Sequence, residues 1–422
     1  MKRKINRALI SVSDKSNLAS LMQILNKYNI EIISSGGTFD AIKKLGYKCK
    51  ELSKYTKFKE MLDGRVKTLH PKIHAGILNN RSNKKHKREM SKNKFYNIDL
   101  IIVNFYPFQK MISNNQSFNK IIENIDIGGP TMVRAAAKNF KDVLIISEVK
   151  DYYLLKKELN KNSGASTLEF RKSMASKAFG LTAYYDSIIS NWFYDKIHIS
   201  FPDTKTIYGK KIKKLRYGEN PHQNASVYSS KDDFGFKKIK GKELSYNNYN
   251  DIFSGLDILA SLKQTGSVII KHANPSGVAV NKIPIKSYIQ ALKADPISAF
   301  GGLVFCNFKI NLKISKEISK TFFEIILAKG FDKSAIKILS SKKNLILIDI
   351  SKYKLSNTQQ IRNLGNSFLI QDIDNKVLDR KKLKMVTKLK LNKNEIKKVE
   401  FAYNVCKFVK SNSIVITNNF ST

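Results

Sequence analysis

At 422 residues, 42% of them hydrophobic, the chain is too long for one ordinary core and long enough to bury two. Its 76 basic and 34 acidic side chains leave a formal charge of +42, but the lysines run from end to end among Asn and Ile, so a solvated lysine surface is expected and a specific nucleic-acid partner is not. Cys49, Cys306 and Cys406 form no Cys-x-x-Cys pair, which argues against a zinc site or a disulfide framework and fits a reducing cytoplasm. The apolar stretch after the basic Met1 to Arg7 is too short for a signal peptide, and no run reaches membrane-spanning length.

Apolar strands alternate with amphipathic helices through the first third, the pattern of an α/β sheet with crossover connections. Ala8 to Val12 reads as a strand, and a helix from about Ser16 repeats Leu18, Leu21, Met22 and Leu25 at helical spacing. Glu31 to Ser34 reads as the next strand, which places the loop Ser34-Ser35-Gly36-Gly37-Thr38 at a strand's carboxyl end. Open α/β sheets bind ligands on that side, and a Gly-Gly turn lets backbone N–H groups approach a phosphate. Leu100 to Asn104 and Val143 to Ser147 are further strands, so Asn104 and Tyr106 leave toward the same side. A long helix is predicted over Thr167 to Trp192, with Phe170, Met174, Phe179 and Tyr184 on its core side.

The polar, lysine-rich stretch Pro202 to Lys214 marks a boundary, giving domains over 1–200 and 201–422. Alternation then resumes. A helix from Asp251, a buried strand Val268 to Ile270 leading into Lys271-His272, and a helix Lys313 to Ala328 are followed by a strand Leu345 to Ile350 and a helix Asn394 to Lys410, which lead to Ser413 to Thr417. His70 and His74 are four apart, but Pro71 argues against a helical metal pair and no third ligand is near, so no metal site is expected.

The most specific feature is Asp63-Gly64-Arg65-Val66-Lys67-Thr68-Leu69-His70-Pro71. With Val103-Asn104-Phe105-Tyr106-Pro107-Phe108, Ile125-Asp126-Ile127-Gly128-Gly129-Pro130-Thr131 and Arg134-Ala135-Ala136-Ala137-Lys138-Asn139, it resembles the cyclohydrolase half of a bifunctional purine biosynthesis family. That family joins phosphoribosylaminoimidazolecarboxamide (AICAR) formyltransferase to IMP cyclohydrolase. Leu215-Arg216-Tyr217-Gly218-Glu219-Asn220-Pro221-His222-Gln223, Lys271-His272-Ala273-Asn274-Pro275-Ser276-Gly277 and Asp295-Pro296-Ile297-Ser298-Ala299-Phe300-Gly301-Gly302 resemble the formyltransferase half. The resemblance implies a methylglyoxal synthase-like α/β domain followed by a cytidine deaminase-like α/β domain.

It also implies roles. Ser13, Asp14, Lys15, Ser35, Gly36, Gly37, Thr38, Arg65, Val66, Thr68, Asn104, Phe105, Ile127 and Gly128 would line a nucleotide site, with Lys67, Tyr106, Asp126 and Lys138 as its catalytic set. Lys138 matches the family's proton donor or acceptor. In the second half His272 matches the base and Lys271 the charge stabiliser, while Arg216, Tyr217, Phe300, Gly301 and Asn412 match AICAR contacts. The co-substrate would be 10-formyltetrahydrofolate, with no tightly bound cofactor, and the products formyl-AICAR and IMP; a cytoplasmic homodimer is implied. After Asn412 the family continues into glycine-rich, Phe-Phe-Pro-Phe-x-Asp and Arg-x-Phe-x-His segments that this sequence lacks, so an incomplete formyltransferase domain is expected, with apolar surface exposed from Ile414 to Ile416. A monofunctional cyclohydrolase and a nucleotide-sensing module are the alternative readings.

Overall fold

Strands buried on both faces read as continuous apolar runs, and Arg7–Val12, Leu100–Asn104 and Leu144–Ile146 form the middle and one side of such a sheet. The computed structural model describes residues 2–355, 359–386 and 388–422. The chain divides into two units, Met1–Tyr208 and Gly209–Thr422.

The first unit is built on an all-parallel sheet in the order Lys50–Glu51, Glu31–Ser34, Arg7–Val12, Leu100–Asn104, Leu144–Ile146. The chain leaves Arg7–Val12 to one side and later returns to the other. The order therefore reverses between Arg7–Val12 and Leu100–Asn104, where Val12 pairs with Asn104 and a crevice opens at the carboxyl ends. All four apolar residues expected on the first helix are buried, on Leu18–Lys27.

The long helix runs over Leu168–Lys196, but its inward face differs from the expected one. Phe179 is exposed and takes the Arg134 guanidinium over its ring at 5.7 Å, while Tyr185, next to the expected Tyr184, is buried. Pro71 also behaves differently. It starts the helix Pro71–Leu78 at its first position, where a fixed φ fits and the missing N–H costs nothing, and His70 caps it by accepting the Lys72 N–H at 3.1 Å. Among the described residues no group of three His, Cys, Asp or Glu side chains could hold a metal ion.

The second unit carries a mixed sheet in the order Lys237–Lys240, Ile346–Asp349, Ile325–Ala328, Leu303–Cys306, Gly266–Lys271, Asn274–Val280. Strand alternation feeds two cores: Val268, Ile270 and Phe305 enter one, and Ile269, Val304 and Cys306 the other. The helix expected over Lys313 to Ala328 ends at Ile318, and Ile325–Ala328 is a buried parallel strand, because a short run covered on both faces has no period that separates strand from helix. Within the polar stretch Pro202 to Lys214, Lys210–Lys214 forms a strand against Ser226–Ser229. The helix expected from Asp251 begins at Tyr246 behind a Ser245–Asn248 capping box.

Ser413 to Thr417 joins no sheet. Ile414 and Ile416 are 90% and 83% exposed, while Val415 packs partly on the core. Among the described residues no helix is long and apolar enough to cross a membrane.

Candidate active site

The crevice of the first unit is a cavity of about 720 Å³. Asn104, at its strand end, organises one wall: its Oδ1 accepts the backbone N–H groups of Ser13 and Asp14 at 2.7 and 3.0 Å, and its Nδ2 donates to the Asp14 carbonyl at 3.0 Å. Ser13 Oγ donates to the Phe105 carbonyl at 2.7 Å, locking the two strand ends together.

Gly36 opens the helix Gly36–Lys44 with φ of +52°, a conformation only glycine adopts without strain. Ser35, the residue before, makes no side-chain cap, so the first helical N–H groups remain available to an anion. Lys67 Nζ and Lys15 Nζ each lie 3.8 Å from where a Cβ on Gly36 and Gly37, respectively, would stand. Two ammonium groups thus converge on this turn.

Lys67 gets there because Leu62, Asp63 and Gly64 take three consecutive positive φ values, 55°, 53° and 86°, folding the loop back on itself. Val66 closes that fold by exchanging backbone hydrogen bonds with Met61 at 3.1 and 3.3 Å. The Thr68 hydroxyl lies against Gly128, where any side chain would collide with it.

On the opposite wall Asp126 Oδ1 accepts the Gly129 N–H at 2.8 Å. Burial pushes its carboxyl up from the ordinary value, while the Gly129 amide and the Lys67 charge act against that. Tyr106 and Ile127, both exposed, complete the rim.

The remaining expected residues divide by what holds them. Ser13, Lys15, Ser35, Gly37, Arg65 and Thr68 line the cavity. Thr38 lines it too, but its hydroxyl is bound to Val12, donating to the carbonyl at 3.0 Å and accepting the N–H at 3.1 Å. Asp14 shapes a turn through Ser16, whose hydrogen bonds hold its carboxyl below the ordinary value. Phe105 supports from behind, 5.0 Å from the Tyr185 ring. Lys138 does not join the others: it is the exposed last residue of the helix Gly128–Lys138, roughly 15 Å along the axis from Gly128.

In the second unit the strand Gly266–Lys271 ends at Lys271, and His272 and Ala273 form the two-residue turn into Asn274–Val280. Lys271 Nζ donates to the Phe300 carbonyl at 2.8 Å, and the Gly301 N–H donates to the Phe322 carbonyl at 2.8 Å. The structure therefore brings Lys271 to Phe300, with His272 and Gly301 as their chain neighbours. Arg216 and Tyr217 face each other, guanidinium 4.8 Å from ring centre, and Asn412 is exposed. Among the described residues no hydrogen bond joins these three to the His272 turn.

Three contributors escaped the sequence reading. Tyr185 Oη accepts the Asp126 N–H at 2.8 Å, Glu123 forms an ion pair with Arg65, and the Asp251 carboxylate accepts the Ala273 N–H at 2.6 Å. Only Asp251 left a trace, an acid one residue from Ile252 on a helix whose Gly255, Leu256 and Leu259 are buried. A buried carboxylate requires partners.

Residues 136–422 match the AICARFT/IMPCHase bienzyme family and residues 17–131 the MGS-like domain. The bifunctional purine biosynthesis protein PurH of Bradyrhizobium diazoefficiens is 42% identical over 429 residues, covering 100% of this chain and 81% of that protein. The chain belongs to the AICARFT/IMPCHase bienzyme family. PurH of Clostridium kluyveri is 42% identical over 99% of this chain and 83% of its own length, and PurH of Fusobacterium nucleatum 43% over 99% and 82%. As an AICARFT/IMPCHase bienzyme the chain is a purine biosynthesis enzyme with formyltransferase and cyclohydrolase activities, its MGS-like fold leading into the bienzyme domain.

Proposed function

We propose that the two activities divide between the two units: the Asn104 cavity closes formyl-AICAR to IMP, and the His272 turn serves formyl transfer from 10-formyltetrahydrofolate to AICAR. The observation that carries the first assignment is the meeting of Lys15 and Lys67 at the uncapped Gly36–Gly37 helix start, in the cavity that Asp126 also lines. The helix start suits a phosphate, and Lys67, whose charge also reaches Asp126, stands between it and the reacting amide. In ring closure the carboxamide nitrogen bonds to the formyl carbon, one proton from that nitrogen and one from the formamide nitrogen pass to the formyl oxygen, and that oxygen leaves as water while a C=N bond forms. Lys67 stabilises charge on that oxygen, and Asp126, whose burial favours its neutral form, exchanges a proton. Asn104, Tyr106, Ile127 and Gly128 hold the ring in place.

Lys138 stands outside its own chain's cavity, so a part in closure requires that a second copy deliver it, consistent with a cytoplasmic homodimer. At the other site His272 takes the proton of the AICAR amino group as it attacks the formyl carbon, Lys271, held at the strand end by Phe300, stabilises the developing oxyanion, and the bond from the formyl carbon to the folate nitrogen then breaks as that nitrogen receives the proton from His272.

The test is to assay the chain with AICAR and 10-formyltetrahydrofolate, following tetrahydrofolate and IMP, and separately with formyl-AICAR. Replacing His272 by Ala should stop tetrahydrofolate release while added formyl-AICAR still yields IMP, and Lys67→Ala should do the reverse. Loss of both activities in either folded variant would refute the division.

A further inference from the structure

His272 and Ala273 have φ of 55° and 57°. Two consecutive left-handed residues joining antiparallel strands make a type I′ turn, for which Asn-Gly is the natural pair. A histidine and an alanine there are each strained by their Cβ, and such strain persists only where neighbouring structure imposes it. No glycine or asparagine occupies either turn position, so the constraint must come from elsewhere.

It comes from the helix Tyr246–Ser261. Asp251, 9% exposed, accepts the Ala273 N–H at 2.6 Å through Oδ1. The turn amide of Ala273 is thus tied to a carboxylate 22 residues away in sequence, an acceptor supplied by the protein itself. The ladder is also irregular beside the turn, with a register shift between Ile269 and Ile270, a feature that re-aims the residues following it.

We propose that Asp251 is a positioning residue for formyl transfer: by accepting the Ala273 N–H it holds the turn that carries the imidazole in its left-handed conformation beside Lys271. The inference rests on the reading of His272 as the base. Asp251 does not touch substrate; it sets the geometry from which His272 acts, so its loss should fall on kcat more than on the KM for AICAR.

The test compares Asp251→Asn, Asp251→Ala and Asp251→Ala combined with Ala273→Gly in the full chain, by formyl-transfer kinetics and by hydrogen exchange of the 266–280 segment. Asparagine keeps an acceptor oxygen and should stay within about threefold of the wild-type kcat, whereas alanine should lower kcat about 10- to 100-fold. Glycine at 273 takes positive φ freely, so the double variant should recover about tenfold, with hairpin exchange slowed again toward wild type. Ring closure of formyl-AICAR by the same preparations reports folding, and Asp251→Ser, too short to reach Ala273, substitutes if the alanine variant does not fold. Wild-type kcat in Asp251→Ala, or a loss that persists after glycine has restored hairpin protection, overturns the proposal. If the wild-type chain transfers no formyl group, the reading of His272 fails and the positioning role with it, while unchanged hairpin exchange in Asp251→Ala would refute the clamp itself.

Discussion

Replacing Tyr185 by Phe removes one oxygen from the wall behind Asp126. That oxygen accepts the Asp126 N–H at 2.8 Å, while the ring packs against Phe105 at 5.0 Å and Phe108 at 6.1 Å. Phenylalanine keeps both ring contacts, so no cavity opens and the effect falls on the hydroxyl's hydrogen bonds, the one from Asp126 and a longer donation to the Asn124 carbonyl at 3.4 Å. Burial pushes the Tyr185 phenol up to about 12, so it stays a neutral acceptor at any assay pH. A buried N–H left without an acceptor costs about 1–3 kcal/mol. In a domain of this size each kcal/mol lowers Tm by about 2–4 °C, so the first unit should melt about 2–12 °C earlier. If the turn instead shifts to offer its amide to water, the Asp126 carboxylate moves with it, and closure of formyl-AICAR should slow by about tenfold or more. Calorimetry and IMP formation from formyl-AICAR measure both. The neighbouring Tyr184→Phe, which loses a bond to Gln109 at 2.9 Å and leaves the Asp126 N–H bonded to Tyr185, should leave closure unchanged. A Tyr185→Phe variant with unaltered melting and unaltered turnover would refute the reasoning.

Two further outcomes follow from the same cavity. The Arg65–Glu123 pair is open to solvent, at 66% and 55% side-chain exposure, and is worth up to about 1 kcal/mol. Glu123→Gln should therefore release Arg65 and tighten IMP binding by up to about fivefold at low salt, less at high salt, as titration calorimetry would show; weaker binding would mean that Glu123 supports the site. Lys67→Ala and Lys138→Ala should each abolish closure. If Lys138 serves a second copy's cavity, mixing the two variants under subunit exchange should restore about a quarter of wild-type turnover, whereas a mixture as inactive as its components removes the shared site.

Much of the cavity was legible because its residues cluster where strands end. A strand's carboxyl end is set by local pattern, and the loops after Arg7–Val12, Glu31–Ser34 and Leu100–Asn104 carry Ser13, Gly36 and Tyr106 to one side whatever the packing details. Element type was lost where local pattern is silent. Ile325–Ala328 lies in a sheet covered on both faces and shows no alternation to mark it as a strand, and Pro71 reads as a breaker until its position at the first turn of a helix is known.

The sequence by itself determined the two-domain α/β character, the glycine turn and the basic residues that meet there, since these depend on spacing along the chain and on what glycine alone permits at positive φ. The tertiary structure decided which side chains face a ligand and which hold the residues that do. Thr38 is spent on Val12, Asp14 on Ser16 and Lys138 on a helix end outside the cavity, while Tyr185 and Asp251, 59 and 22 residues away from the groups they hold, enter both sites. Such partnerships form only when distant segments pack, because a hydrogen bond is a matter of distance in space and leaves no period in the sequence.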